Sequence, residues 1–223
     1  QFRQFFIQLS QPDAESGLLP VMTWEDHVEQ GYSELTVTGW DRHLLLARLS
    51  GSLAAQGINI LSADLYQRGD HLVLDMFRVC NTNFAAVTNK SARLRVEQAV
   101  KIAFLKQTFD FTPDIASTRK AIPGYDEVMT EIPQRVFLNN DLSLDQTIAE
   151  LQVVDRLGLL YDIFMAIGKL NLNVTHARIN TEKGVAIDSI YIQTQNDQKI
   201  RDKEALAALQ EALTQAVFGG ASA

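Results

Sequence analysis

The chain repeats itself, and the repeat limits what it can become. Glu34-Leu-Thr-Val-Thr-Gly-Trp-Asp41-Arg42 and Ala149-Glu-Leu-Gln-Val-Val-Asp155-Arg156 are short runs ending in the same Asp-Arg pair. Apolar or small residues alternate along each, at Leu35, Val37 and Gly39 and at Ala149, Leu151 and Val153. That alternation is the signature of a strand with one buried face. A helical pattern follows each Asp-Arg. Leu160, Ile163, Phe164 and Ile167 lie at i, i+3, i+4 and i+7 in the second copy, one face of a helix. Leu46, Leu49 and Leu53 do the same in the first, which puts Arg48, Ser52 and Gln56 on the expected wet side.

Both helices run into similar exits, Gln56-Gly57-Ile58-Asn59-Ile60 and Lys169-Leu170-Asn171-Leu172-Asn173-Val174. Gly57 and Asn171 suit the left-handed backbone that ends a helix. Strands are expected at Asn59–Tyr66 and Asn173–Ile179. Polar turns come next, Gln67-Arg68-Gly69-Asp70 and Thr181-Glu182-Lys183-Gly184. Further strands are expected at Val73–Val79 and Val185–Ile192, with Asp75 and Asp188 at matching places. Val96, Val100 and Phe104 mark a closing helix in one copy; Leu206, Leu209, Leu213 and Val217 mark it in the other. Leading strands at Leu19–Trp24 and Arg135–Leu138 complete the unit, joined on through polar loops at Glu25–Ser33 and Asn139–Gln146. Strand, strand, helix, strand, strand, helix, twice over, predicts an α+β fold. Parallel neighbours bridged by helices, plus hairpins, would build an α+β sandwich, antiparallel sheets with helices packed on one face.

The expected organisation is an N-terminal segment at 1–16, a first domain at 17–112, a linker at 113–133 and a second domain at 134–220. Composition excludes several function classes. With 20 Lys and Arg against 27 Asp and Glu, and the basic residues scattered, a phosphate-tracking nucleic-acid surface is not expected. No apolar run approaches the roughly 20 residues of a membrane-spanning helix. The lone Cys80 can form no internal disulfide, so a reducing, cytoplasmic setting is expected. A start at Gln1 instead of Met suggests that a segment precedes it.

Asp-Arg at the first strand–helix turn and Gly-x-Asn-Ile at the second strand resemble ACT domains, which implies two tandem ferredoxin-like units. Tyr32-Ser-Glu-Leu-Thr-Val to Asp41-Arg42, Gly57-Ile-Asn-Ile-Leu-Ser-Ala63 and Leu74-Asp75-Met-Phe77 are similar to the penultimate ACT domain of bacterial PII uridylyltransferase/uridylyl-removing enzymes. Val136-Phe-Leu-Asn-Asn-Asp141, Asp155-Arg-Leu-Gly-Leu-Leu-Tyr-Asp162, Leu172-Asn-Val-Thr-His-Ala-Arg-Ile179 and Ala186-Ile-Asp188 are similar to the last. The resemblance spans residues 17–218 and implies a regulatory module that senses an amino acid, glutamine above all. It also implies upstream catalytic domains in the same chain, Gln1–Phe6 being the tail of one, an indirect link to PII and a homodimer. No cofactor is implied. The alternative is an ACT-like module that binds no ligand and serves only to assemble subunits or dock a partner.

The first copy departs from the family pattern, reading Arg42-His43-Leu44 where the second keeps Gly158, and Ala63-Asp64-Leu65 where the family often has Ala-Arg-Ile. Binding is therefore expected at the second copy's turn more than at the first's.

An amino acid needs donors for its carboxylate and acceptors for its ammonium. A strand-to-helix turn offers unpaired N–H groups at the positive end of a helix dipole, and a glycine there lets the backbone approach a ligand. The asparagine opening the next strand both donates and accepts. ACT sites commonly lie where one domain's turn meets its neighbour's second strand. The resemblance therefore pairs Asp155, Arg156, Leu157, Gly158 and Leu159 with Asn59 and Ile60, and Asp41, Arg42, His43 and Leu44 with Asn173 and Val174. Plainer readings make Asp41 and Asp155 helix caps, His43 an exposed helix-start residue and His176 a sheet histidine. They give Asp75 and Asp188 cross-strand partners, with Arg178 available to Asp188. Cys80 has no paired histidine in view, and His27 and His71 lack metal-ligand spacing. No nucleotidyltransferase, phosphate-loop or nucleophile-elbow motif occurs, so no catalysis is expected from this stretch itself.

Overall fold

The computed structural model describes residues 19–67, 71–106, 108–122, 133–182 and 184–219. The expected N-terminal segment, the Arg68–Asp70 turn residues, Lys183 and Pro123-Gly124 lie outside them. The first copy comprises β1 (Val21–His27), β2 (Tyr32–Trp40), α1 (Leu45–Ala55), β3 (Ile58–Gln67), β4 (Leu72–Asn81) and α2 (Lys90–Leu105). Residues Thr112–Lys120, inside the expected linker region, form α3. The second copy comprises β5 (Arg135–Asn139), β6 (Thr147–Val154), α4 (Leu159–Lys169), β7 (Leu172–Glu182), β8 (Val185–Thr194) and α5 (Lys203–Phe218).

All the strands among the described residues make one eight-stranded sheet, ordered β1-β2-β4-β3-β7-β8-β6-β5. The order is a palindrome of the repeat, because β3 matches β7, β4 matches β8 and so outward. The copies are therefore related as in an isologous pair, joined edge to edge. The join is short, Ser62 facing Asn180 and Ala63 facing Ile179. Every pairing among the described residues is antiparallel, as expected of the sheet; only the expectation that helix-bridged strands would be neighbours is corrected. The strands that a helix bridges are not neighbours. β4 lies between β2 and β3, and β8 between β6 and β7. The region expected as a polar loop at Glu25–Ser33 is shorter too: β1 runs to His27, a 3-10 turn covers Val28–Gln30, and β2 begins at Tyr32.

Alternation decides which face is covered. Leu35, Val37, Ala149, Leu151 and Val153 are buried against the helices, as are Phe77 and Ile190 of the hairpins. Tyr66, Phe137 and Ile187 stay exposed. α2 and α5 start at side-chain caps, Asn89 accepting from Ser91 and Ala92 and Asp202 from Ala205, each satisfying first-turn N–H groups. Gly57 and Asn171 take the left-handed conformation at the ends of α1 and α4, with φ of 72° and 55°.

α1 has no wet side where one was expected. Arg48 is 6% exposed and Ser52 fully buried, because α1 packs on α2, α3 and α4 as well as on the sheet. The Arg48 guanidinium lies 4.3 Å over the Phe109 ring and donates to the Lys106 carbonyl at 2.9 Å and to that of Ala103. The Ser52 hydroxyl donates back to the Arg48 carbonyl at 2.7 Å.

Candidate functional site

Each strand-to-helix turn is anchored alike. The Asp41 N–H donates to the His71 carbonyl at 2.7 Å, and the Asp155 N–H to that of Gly184 at 2.9 Å. Each turn is thus fixed to the hairpin beyond it. Neither aspartate caps its helix: the residues preceding α1 and α4 are Leu44 and Gly158, and neither helix has a side-chain cap bond. Both of these residues are left-handed, with φ of 60° and 80°. Glycine adopts this backbone freely, whereas a leucine there costs roughly 1–2 kcal/mol. Packing holds Leu44 in place: its Cδ2 would lie 1.9 Å from a Cβ added at Gly168.

The arginines of the two Asp-Arg pairs act as structural ties. Arg42 donates to the Phe104 carbonyl at the end of α2 and lies 4.7 Å over that ring. Arg156 donates to Ala216, near the end of α5, at 2.6 Å and to Asp162 at 2.6 Å. Cations suit the carbonyl end of a helix.

The fold brings together both turn–strand pairs expected from the resemblance, with opposite outcomes. At the second copy's turn the Asn59 amide donates to the Asp155 carboxylate at 3.0 Å. The cavity left among Asn59, Asp155, Gly158, Tyr161 and Asp188 is about 20 Å³, room for a water and no more. Burial pushes the Asp155 carboxyl above its ordinary range, against the pull of the Asn59 amide, the Arg156 N–H and the Thr181 hydroxyl. α3 covers this turn from outside. Arg119 donates to the Leu157 carbonyl from Nε at 2.8 Å and lies 3.7 Å from Asp162. Ile115 sits where a Cβ on Gly158 would approach within 2.8 Å. Gly158 thus makes room for a neighbouring helix.

At the first copy's turn the same geometry stands open. A cavity of about 380 Å³ is lined by Asp41, Arg42, His43 and Leu44 on one side and by Asn173, Val174 and Thr175 on the other. Tyr66, His71 and Asp75 contribute from the hairpin, Phe164 and Ile167 from α4, and Gln195 and Asp197 from beyond β8. Asn173 is turned toward Gln195, whose amide donates to its side-chain oxygen at 2.8 Å. The room lies at the turn where the sequence departs from the family. The reason is connectivity: two copies have one linker between them, and α3 packs over only one of two otherwise equivalent turns.

Two carboxyls carry more of the site than the sequence assigned them. Asp75 and Asp188 are 3% and 2% exposed. Each takes one main-chain N–H across its hairpin, from Tyr66 and from Asn180 (3.2 Å) respectively. The Oδ2 atom of each is buried without a hydrogen-bond partner. Burial, then the charge of Asp41, pushes Asp75 up to about 8; burial and Asp155 push Asp188 up to about 7. Arg178 does not pair with Asp188. It is exposed and faces Ser189, on the other side of the sheet. The signal was in the sequence: an aspartate at the inward position of an apolar strand, repeated in both copies.

The remaining candidates have structural environments. Cys80 is buried, and burial and Asp155 push its thiol up to about 11. His176 packs on Tyr191 across the hairpin, ring centroids 5.3 Å apart. His43 is exposed, and His27 stacks on Tyr32 at 4.7 Å.

Two sheet-and-two-helix units, paired edge to edge with cavities where one unit's turn meets the other's strand, have the architecture of a tandem ACT-type regulatory module. Residues 135–220 match the family model described as "ACR9-like, ACT-like domain". Across 202 residues, 88% of its length, the chain is 31% identical to the "Bifunctional uridylyltransferase/uridylyl-removing enzyme" of Azospirillum brasilense. Enzymes of the same name from Nitrobacter winogradskyi and Rhodospirillum rubrum are 30% and 28% identical over 87% and 85% of the chain. The chain is thus similar to these enzymes along nearly its whole length, and its second copy to an ACT-like domain. It spans about a fifth of these relatives' length, 21% of the first and 20% of the others. Among solved structures, aspartate kinase from Synechocystis shares 16% identity, covering 84% of this chain and 28% of its own, with a TM-score of 0.46. No helix among the described residues is long and apolar enough to cross a membrane.

Proposed function

We propose that this chain is the amino-acid-sensing module of a PII uridylyltransferase-like enzyme, with glutamine the favoured effector, and that its working site is the cavity at the first copy's turn. The observation that carries this reading is the 380 Å³ of space between Asp41–Leu44 and Asn173-Val174. That volume is near the lower end of the roughly 300–1,000 Å³ of small-molecule pockets, and its walls offer acidic, amide and helix N-terminal groups together. A ligand there touches both copies. It can shift their relative arrangement by its differential affinity for the arrangements, and so signal to the catalytic domains proposed for the rest of the parent chain and, through them, to PII.

The closed turn favours a second role for the other half. With about 20 Å³ of space and Asn59 bonded to Asp155, that turn serves assembly of the two copies. The domain boundaries proposed are 17–112 and 134–220, with α3 a bracing element between them. Titration calorimetry with a panel of amino acids tests the reading. Glutamine should bind one site per chain, Asn173→Ala should weaken it, and Gly158→Ala should leave it unchanged in any variant that folds. Absence of binding by every amino acid up to millimolar concentration defeats the sensing role.

A further inference from the structure

One carboxylate in the open cavity is built into the apolar layer with half of its bonding capacity unused. Asp75 stands on β4 between Val37 of β2 and Leu65 of β3, both core residues. A carboxyl is costly in such a place unless its oxygens are satisfied. One oxygen takes the Tyr66 N–H. The other is buried and without a partner, in a side chain only 3% exposed that lines the cavity. Asp41, whose charge acts on Asp75, lines the same wall.

We propose, on the reading that the open cavity binds an amino acid, that Asp75 with Asp41 forms the ammonium subsite. Asp75 Oδ2 accepts a hydrogen bond from the protonated α-amine, and the ligand's carboxylate lies toward the first turn of α1. A charged donor is the partner that compensates a buried carboxylate, since charge-assisted bonds are about twice as strong as neutral ones. The first turn of α1, with its N–H groups and dipole, suits the anionic end. The other charged and titratable groups about the cavity are Arg42 and His43 on the same turn, Tyr66 and His71 on the hairpin and Asp197 beyond β8. The facing residues of α4, Phe164, Ile167 and Gly168, carry no charge.

The duplicate copy supplies an internal control. Asp188 has the same cross-strand N–H and the same unpartnered oxygen, but its cavity has room for a water only. Protonation adds a second readout. Burial pushes the empty-site Asp75 up to about 8, so it holds its proton at pH 7. An ammonium beside it favours the ionised form, and binding should release that proton.

The experiment is calorimetric titration of the whole chain with L-glutamine and with glutaramate, which is glutamine without its α-amine. Asp75→Asn should weaken glutamine at least about tenfold, while Asp188→Asn stays within about twofold of the parent. Glutaramate should bind the parent more weakly than glutamine does, and Asp75→Asn should not weaken it further. Titrations in buffers of different ionisation enthalpy should show net proton release at pH 7 on the parent protein, a measurement that stands even if a variant fails to fold. Unchanged glutamine affinity in folded Asp75→Asn, equal affinity for the two ligands, or no proton release overturns the subsite while the cavity reading stands. Failure of the parent to bind any amino acid overturns both.

Discussion

Replacing Asp75 by Asn should make the stability of this fold less sensitive to pH, and by a predictable amount. Asp75 and Asp188 are nearly inaccessible and are pushed to about 8 and about 7. In an unfolded chain an aspartate titrates near ~4. The folded protein therefore binds a proton at each position over a pH range where the unfolded chain has released it. Stability from these groups is fully present below about pH 4 and falls as pH rises, until it levels off above about 7 for Asp188 and about 8 for Asp75. Each group contributes a slope of roughly 1.4 kcal/mol per pH unit. Between pH 5 and pH 7 each therefore removes about 3 kcal/mol, a large share of the roughly 5–15 kcal/mol that holds a domain together.

Asparagine keeps the shape and cannot ionise. Asp75→Asn should exceed the parent by about 1–2 kcal/mol at pH 5 and by about 4 kcal/mol at pH 7. Asp155, also raised by burial, slopes the same way in both proteins and cancels in the comparison. Urea unfolding followed by far-ultraviolet circular dichroism at pH 5, 6, 7 and 8 supplies the four points. Parallel stability lines for parent and variant would refute the reasoning, since they would mean that Asp75 ionises in the fold much as it does outside.

Three further outcomes follow from the same geometry. Gly168→Ala should destabilise by about 1–3 kcal/mol in urea unfolding, because its Cβ would meet Leu44 Cδ2 at 1.9 Å in a close-packed place; adding Leu44→Gly should recover most of that loss. Arg119→Ala removes the bonds to the Leu157 carbonyl and should cost about 1–3 kcal/mol, with faster hydrogen exchange in α3 and at the Leu157–Asp162 turn but no change at Asp41–Leu45. Continuing the β3–β7 register from Ala63 and Ile179 sets exposed Asp64 opposite exposed Arg178 at the centre of the palindrome. Asp64→Arg should therefore destabilise the join by less than about 1 kcal/mol, an effect that shrinks with added salt.

The sequence by itself determined the repeating unit and the order of its elements. Period-2 runs such as Leu35–Val37 and Leu151–Val153 are local, and so are the period-3.6 face of Leu160–Ile167 and the left-handed exits at Gly57 and Asn171. Such features register in the chain because neighbouring residues must agree about which side is buried. The pairing of each turn with the other copy's asparagine was legible through the family resemblance.

Tertiary structure decided the rest. It inserted β4 and β8 between the strands that the helices bridge, and it buried Arg48 and Ser52 by surrounding α1 on every side. It turned the aspartates of the turns away from capping, and made Arg42 and Arg156 ties to distant helix ends. It also left the larger space at the turn that the sequence ranked second. Gly158 suggested the second turn, yet Leu44 adopts the same backbone, held by its packing against Gly168. The space lies at the first turn because α3 rests on the second. Which of two locally similar turns stays open depends on where a single connecting segment packs; Gly158 permits that packing, but only the tertiary contact shows it.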